Sequence, residues 1–446
     1  MKDLLKRFAP DLMLKYYHRV LAFLGAFFYG LPSERLIVIG VTGTNGKSTV
    51  VSLIAEILRS AGYQVGFSST IAFSDGGKPV LNRLKMTMPG RFFLQRLLRK
   101  MVRNGCRYAV LESTSEGVLQ FRHLHIHYDV LVFTNLAPEH LERHGGFEQY
   151  KQAKLEYFRY LEQLPNKLLD KQRVDKVIVA NLDDPHGREF LNFRVDQKIG
   201  FSFSRAPEGQ NRDIMVLSAS EVKVLPRTSR FQVGGVQFVL FLPGRFNVEN
   251  ALAAIAAAKS QAVPLGLCQR ALAMVELVPG RMESIMEGQT FGALVDYAPE
   301  PNALRALYET LATWPKDRII HVLGSTGGGR DKARRTVLGS LAGKIADIVV
   351  VTNEDPYDDD PREIIEQVAR GAEQAGKRVN QSLYKILDRR QAIRKALSLA
   401  RANDLVLVTG KGAEQAIVTA GGRKIPWDDR QVVREELRKL LAKKTD

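Results

Sequence analysis

The run Leu36-Ile37-Val38-Ile39-Gly40-Val41 leads directly into Thr42-Gly43-Thr44-Asn45-Gly46-Lys47-Ser48, and residues 48–60 then keep helical spacing. A continuous apolar run of this length predicts a strand buried on both faces. Strand, glycine loop and helix in that order constrain the chain to an α/β fold whose loop receives phosphate. Glycines let backbone N–H groups face phosphate oxygens at a helix N-terminus, a lysine reaches the β- and γ-phosphates, and a hydroxyl serves Mg²⁺. Gly43, Gly46, Lys47 and Ser48 supply these groups. Val41 stands where the generic phosphate-loop spacing asks for glycine, so the generic pattern holds only from Gly46 onward.

Further apolar runs at Tyr108 to Leu111, Val130 to Thr134 and Lys176 to Ala180 alternate with helical stretches, the pattern of a parallel sheet covered on both faces. Phe231-Gln232-Val233 and Val236-Gln237-Phe238-Val239 flank Gly234-Gly235, which predicts a two-residue hairpin. An alanine-rich helix is expected from Asn247 to Ser260. Beyond Pro279-Gly280, the runs Arg318 to Leu323, Ile348 to Thr352 and Leu405 to Thr409 alternate again with helices. The expected organisation is an N-terminal helical segment over residues 1–35, a phosphate-loop parallel-sheet ATPase domain over 36–282, and a second α/β domain over 283–446.

A length of 446 residues at 45% hydrophobic and 25% charged composition leaves burial unconstrained and suits two or three domains. Cys106 and Cys268 form neither a CxxC pair nor a disulfide framework, which fits a reducing cytoplasm. The net charge of +17 is spread along the whole chain without a nucleic-acid-binding signature. It therefore points away from nucleic acid and toward small anionic substrates such as ATP and carboxylates. In Leu12 to Gly30 an apolar cluster of Leu21, Phe23, Leu24, Phe27 and Phe28 is interrupted by Lys15, His18 and Arg19, so neither a spanning helix nor a signal peptide is expected. An amphipathic helix packed on the body is one reading, and docking on a membrane or partner through residues 12–29 is the other. His123, His125 and His127 alternate; on a strand they would share a face and could bind metal, although polar decoration of a strand before Val130 is the simpler expectation.

The loop resembles that of the Mur ligase family, above all its UDP-N-acetylmuramoyl-tripeptide synthetase branch, which reads Gly-x-Thr-Gly-Thr-Asn-Gly-Lys-Thr/Ser. The likeness continues in order through Phe133-Thr134-Asn135-Leu136, Glu139-His140-Leu141, His144-Gly145, Tyr150 to Lys154 and Asn181-Leu182-Asp183-Asp184. Gly244 to Asn250, Gly280-Arg281-Met282-Glu283, Gly328-Gly329-Arg330-Asp331-Lys332 and Gly410-Lys411-Gly412-Ala413-Glu414 extend it, covering residues 36 to about 435.

The resemblance implies a Rossmann-like C-terminal ligase domain and ATP-dependent amide formation. ATP phosphorylates a substrate carboxylate, and an amino acid then displaces phosphate through a tetrahedral intermediate. Crowded anions explain the residue types, because cations and fixed positive groups must offset ATP, carboxylate and oxyanion together. The implied nucleotide site comprises Thr42, Gly43, Thr44, Asn45, Gly46, Lys47, Ser48, Thr49, Asn247, Asn250, Arg281 and Asp296. Ser48, Glu112 and His140 match magnesium ligands, and Lys154 matches a lysine that reacts with CO2 to give a carbamate ligand. Lys47, His140, Lys154 and Arg281 are the implied catalytic residues. Thr87, Thr114, Gln120, Arg122, Arg330, Asp355 and Glu414 match substrate positions.

Several positions depart from the family pattern. Asp296-Tyr297-Ala298-Pro299-Glu300-Pro301 lacks the histidine of Asp-Tyr-Ala-His-Thr-Pro, and Thr87-Met88-Pro89 replaces Thr-Thr-Pro. Glu112-Ser113-Thr114-Ser115-Glu116 replaces Glu-Val-Ser-Ser-His. Glu354-Asp355-Pro356-Tyr357 replaces Asp-Asn-Pro-Arg, and tyrosine cannot form the ion pair that arginine gives diaminopimelate. Only about 35 residues precede the first strand, whereas the family carries a UDP-holding domain of roughly 90 there, so the expectation extends to a carrier other than UDP. A ligase acting on a non-UDP acyl substrate and a silent ATP-binding subunit are the alternatives.

Overall fold

The computed structural model describes residues 11–138, 145–204, 213–329 and 332–445. The expected site residues His140 and Arg330 lie outside these described residues. The first helix, α1 (Asp11–Phe28), is followed by β1 (Ile37–Thr42), all six residues of which are buried. The phosphate loop then opens α2 (Lys47–Ser60). The chain continues through β2 (Val65–Ser68), β3 (Ala72–Ser74), β4 (Val80–Leu81), α3 (Arg91–Arg103), β5 (Tyr108–Glu112), α4 (Ser115–Leu119), β6 (Val130–Phe133) and α5 (Phe147–Gln163). After the small hairpin of β7 (Lys167–Leu169) and β8 (Gln172–Val174) come β9 (Val177–Asn181), β10 (Gln197–Ser202), β11 (Ile214–Val224), β12 (Ser229–Val233) and β13 (Val236–Leu240).

These strands form one sheet in the order β13-β12-β11-β10-β9-β6-β1-β5-β2-β3-β4, apart from the small hairpin. The pairs from β11 through β2 are parallel, and both ends are antiparallel. β1 lies between β5 and β6, and the chain leaves it toward β2 before returning to β6 on the other side. That reversal opens a crevice at the strand's C-terminal end, where the phosphate loop begins. The alanine-rich segment is α6 (Arg245–Lys259), which packs on α2 so closely that Ala251 to Ala258 are all fully buried. The Gly234-Gly235 turn joins β12 to β13 as expected, with both glycines at positive φ.

After α7 (Leu265–Ala273), a second sheet begins with β14 (Glu283–Ser284) and β15 (Gly292–Val295). It continues through α8 (Pro301–Ala312), β16 (Ile319–Leu323), α9 (Ala333–Ile345), β17 (Ile348–Thr352), α10 (Pro361–Gln374), β18 (Leu383–Ile386), α11 (Arg389–Leu399) and β19 (Leu405–Val408). The order is β14-β15-β19-β16-β17-β18, parallel except at β14. A hairpin of β20 (Ala416–Thr419) and β21 (Arg423–Pro426) and the helix α12 (Asp429–Thr445) close the chain.

One expectation is corrected. The histidine segment is a series of turns in place of a strand, and His125 sits at φ 58°. His123 is buried edge-on to the rings of Tyr157 and Tyr160, and desolvation pushes its imidazole pKa down to about 3. His127 places Nδ1 2.9 Å from Glu34 Oε1 and Nε2 2.7 Å from the Pro165 carbonyl. The three rings therefore serve separate packing tasks. In α1, the side that meets α3 is Ala22, Gly25 and Ala26, while Phe23, Leu24, Phe27 and Phe28 point outward. The helix packs on the body, as one of the two readings has it, through these small residues, with Leu21 half-buried and Phe23 edge-on to the His125 ring at 5.6 Å.

Candidate active site

Gly43 and Gly46 have φ of 151° and 83°, and a Cβ at Gly46 would lie 2.1 Å from Asn250 Oδ1. Glycine is thus required both by the turn and by the close approach of α6. Asn135 fixes the loop: its carbonyl accepts from Thr44 N at 2.8 Å, and its Oδ1 accepts from Asn45 N at 2.8 Å. Thr134 Oγ1 donates to the Asn45 carbonyl at 2.7 Å. Thr44 Oγ1 lies 3.0 Å from Tyr150 Oη. Lys47 Nζ donates to the carbonyls of Thr44 (2.7 Å) and Gly43 (3.1 Å), curled over its own loop.

Ser48 Oγ donates to Glu112 Oε2 at 2.7 Å, which joins the first turn of α2 to the end of β5. Thr70 closes on the same carboxylate with its N–H (2.7 Å) and hydroxyl (2.9 Å), and its Oγ1 lies 2.8 Å from Thr87 Oγ1. A hydroxyl and a carboxylate side by side next to a phosphate loop are an oxygen donor set suited to a hard divalent cation. Lys154 on α5 is 2% exposed; its Nζ donates to the Gly43 carbonyl at 2.9 Å and lies 4.7 Å from the Tyr150 ring centre.

Asn250 Nδ2 donates to Asn247 Oδ1 at 3.2 Å, and Asn247 in turn donates to the Pro243 carbonyl. Thr42 and Thr49 are buried within the strand end and the first helical turn. Arg281 lies over the Tyr297 ring, 4.4 Å from its centre. Asp296 accepts from the N–H groups of Met282 and Ala298; burial raises its carboxyl pKa, against the opposing pull of Arg281. Thr114 caps α4 by accepting from Gly117 N at 3.1 Å. Gln120 Oε1 accepts from Arg122 at 2.7 Å, and Arg122 also reaches the Met88 carbonyl.

Sequence reasoning missed the bridge between the two halves. Asn45 Nδ2 in the loop donates at 2.8 Å to Glu300 Oε1, the residue that caps α8 in the second half. Glu300 sits beside the position where the family's histidine is absent, and its place before Pro301 is a helix-start signal that was legible. Lys411 is fully buried between Asp355 (2.9 Å) and Glu414 (2.8 Å), and Lys85 from the first half pairs with the same two carboxylates. Desolvation raises the Asp355 pKa, but Lys411 and Lys85 outweigh it and hold the carboxyl below its usual range. No local signal marked Lys85.

A cavity of about 700 Å³ is lined by Ser48, Thr87, Glu112 and Arg122 and by Arg281, Asp296 and Tyr357, and Lys85 on its wall links it to the Asp355–Glu414 pair. A triphosphate, a carboxylate and an amine can therefore meet between two α/β halves. That arrangement defines a phosphate-loop ligase, with each half supplying part of one site.

The chain belongs to the Mur ligase family: residues 41–258 match the Mur ligase middle domain and residues 280–412 the Mur ligase, glutamate ligase domain. It is 39% identical over 427 residues to a UDP-N-acetylmuramyl-tripeptide synthetase of Roseiflexus sp. (strain RS-1), covering 94% of this chain and 82% of that protein. It is 35% identical to a UDP-N-acetylmuramoyl-L-alanyl-D-glutamate--2,6-diaminopimelate ligase of Geobacillus thermodenitrificans (strain NG80-2), covering 93% and 82%. A solved ligase of that second name matches with TM-score 0.58 and 27% identity over 91% of this chain and 79% of that one. The fold is shared with a Mycobacterium tuberculosis folylpolyglutamate synthase complexed with ADP and AMPPCP, at TM-score 0.68, 16% identity and 94% coverage of each chain. Members of the family are ATP-dependent carbon–nitrogen ligases that add amino acids to peptidoglycan precursors, and this chain is such a ligase.

Proposed function

We propose that the chain extends a UDP-N-acetylmuramoyl peptide by one amino acid other than diaminopimelate. ATP is received by residues 42–49, with Asn247 and Asn250 lining the nucleotide side and Arg281 reaching from the domain junction. The γ-phosphate passes to the acceptor carboxylate with release of ADP. The amine nitrogen then attacks the acyl carbon, inorganic phosphate leaves, and one amine proton is lost.

Mg²⁺ would be held by Ser48 and Glu112, whose oxygens already lie together, and would offset the phosphate charge. His140 is proposed as a further ligand. Lys154 is proposed to react as the neutral amine with CO2, releasing a proton and leaving a carboxylate-like carbamate. Support comes from its nitrogen's place at the Gly43 carbonyl, where the loop leaves β1.

The observation that carries the reading is the pair of carboxylates Asp355 and Glu414, which hold the ammonium of Lys85, a residue on the wall of the cavity that the phosphate loop also lines. The amino acid's ammonium is proposed to take the place of the Lys85 ammonium there, and Arg330 to take its carboxylate. Thr87, Gln120 and Arg122 face the acceptor peptide, with Thr114 shaping that wall as a helix cap. Tyr357 occupies the position whose arginine would pair with diaminopimelate's second carboxylate. The test is ADP and amide formation with UDP-N-acetylmuramoyl-L-alanyl-D-glutamate and each of a panel of amino acids. Incorporation of a monocarboxylate amino acid with no incorporation of diaminopimelate is expected. Turnover only with a non-UDP acceptor, or only with diaminopimelate, would overturn the assignment.

A further inference from the structure

We propose that α1 is an interfacial helix that docks this ligase on the surface of an anionic lipid bilayer. The helix is attached to the body by its small residues, Ala22 and Ala26 being at most 1% exposed and Gly25 lying against the start of α3. Most of its large apolar residues lie away from that contact, although Phe23 also meets the His125 ring at 5.6 Å. Met13, Tyr16, Tyr17, Phe23, Leu24, Phe27 and Phe28 recur at helical spacing, and Tyr16, Phe27 and Phe28 are 72%, 70% and 75% exposed. At 100° per residue these seven positions fall within an arc of about 140° that contains no charged residue. A soluble surface scatters such side chains singly; a continuous aromatic face marks a docking site.

The charges around this face choose the occupant. Lys15 and Arg19 on α1 and Arg96, Lys100 and Arg103 on the adjoining α3 are exposed. Neither Arg91–Arg103 nor the stretch from Leu12 to Phe28 contains an acidic residue. A second copy of the chain would bring two such basic rims together and meet repulsion. Anionic headgroups would instead receive the arginines and lysines while the Phe and Leu side chains enter the acyl boundary and the Tyr hydroxyls stay in the headgroup layer. No helix among the described residues is long and apolar enough to cross a membrane, so the geometry is that of a helix lying in the interface. The docked side adjoins the substrate wall: the Arg19 guanidinium covers the Phe121 ring at 4.8 Å, and Phe121 immediately precedes Arg122 in the cavity.

The experiment is sedimentation of the full chain with vesicles of phosphatidylcholine alone and of phosphatidylcholine with phosphatidylglycerol, at low and high salt, alongside analytical ultracentrifugation without lipid. The double variant Phe27→Ser, Phe28→Ser is compared with the parent; both side chains project into solvent, so thermal unfolding and ligation of soluble substrates should match the parent. Binding at least roughly tenfold tighter to anionic than to neutral vesicles is expected, since basic residues near the surface are drawn to anionic headgroups. It should weaken with salt and fall at least about tenfold in the variant. Absence of vesicle binding, equal binding to neutral vesicles, binding that survives the substitutions, or a dimer that the substitutions dissolve would each overturn the proposal. Because ligation is read separately with soluble substrates, failure here leaves the enzymatic reading intact, and the reverse also holds.

Discussion

Lys85 Nζ lies 3.0 Å from Glu414 Oε2, and the same ammonium pairs with Asp355, so a loop of the first half closes onto the acid pair of the second half. Lys424 adds a second tie by donating to the Leu84 carbonyl at 2.8 Å. Under the proposed function, the Lys85 ammonium stands where the incoming amine would bind. Removing it by Lys85→Met should lower the amino-acid KM by about tenfold, which is about 1.4 kcal/mol, with a smaller change in the KM for ATP. Steady-state kinetics decide the matter: a higher amino-acid KM would mean that Lys85 organises the site and does not compete for it.

The Ser48–Glu112 pair makes a sharper prediction about magnesium. Glu112→Gln keeps the shape and one acceptor oxygen but removes the negative charge. The Mg²⁺ concentration giving half-maximal ligation should rise by roughly 10–100-fold. An unchanged magnesium titration would exclude Glu112 as a ligand.

For Lys154, the carbamate reading separates charge from length. Lys154→Ala and Lys154→Arg should both lose about 10²–10³-fold in kcat, because arginine preserves the positive charge but forms no carbamate. Acetate or formate should partly restore Lys154→Ala and leave Lys154→Arg unaffected. Retained activity in Lys154→Arg would show that a cation is what the site needs.

Tyr357 adopts φ 51° and packs on Gly328 at the cavity wall. Tyr357→Arg should create diaminopimelate incorporation where the parent has none detectable. Incorporation assayed by mass spectrometry with paired amino-acid donors would read this directly; failure would place the discrimination in another residue.

Glu249 on α6 supplies a pH prediction. Burial, reinforced by Asp183, raises its carboxyl pKa to about 7 from 4.5. A raised carboxyl favours the fold while protonated, so its contribution is fully present below pH 4.5 and is lost as pH rises through 7. Glu249→Gln should therefore stabilise the protein at pH 8 by at most about 2–3 kcal/mol and have no effect near pH 4. Denaturant unfolding at the two pH values measures the difference.

The phosphate loop, the strands beside it and the helices α2 and α6 were legible because their signals are local: apolar runs, glycine at positive φ and helical periodicity. Resemblance to one family then placed Ser48, Glu112, Lys154 and Arg281 at one site although they come from separate elements. The histidine segment misled because alternation over five residues is compatible with a strand, whereas His123 and His127 are claimed by Tyr157, Tyr160 and Glu34 from elsewhere in the chain.

Residues 36–60 and the ordered motifs after them carried the fold and the ligase class within the chain, since each is enforced by backbone conformation over a few consecutive positions. Closure of the two halves through Asn45–Glu300 and Lys85–Glu414 emerged only in three dimensions, because partners 255 and 329 residues apart leave no local pattern. The outward direction of the α1 aromatics was likewise decided by packing. Periodicity shows that a helix has an apolar face, but only contact between Gly25 and α3 shows which face is already taken.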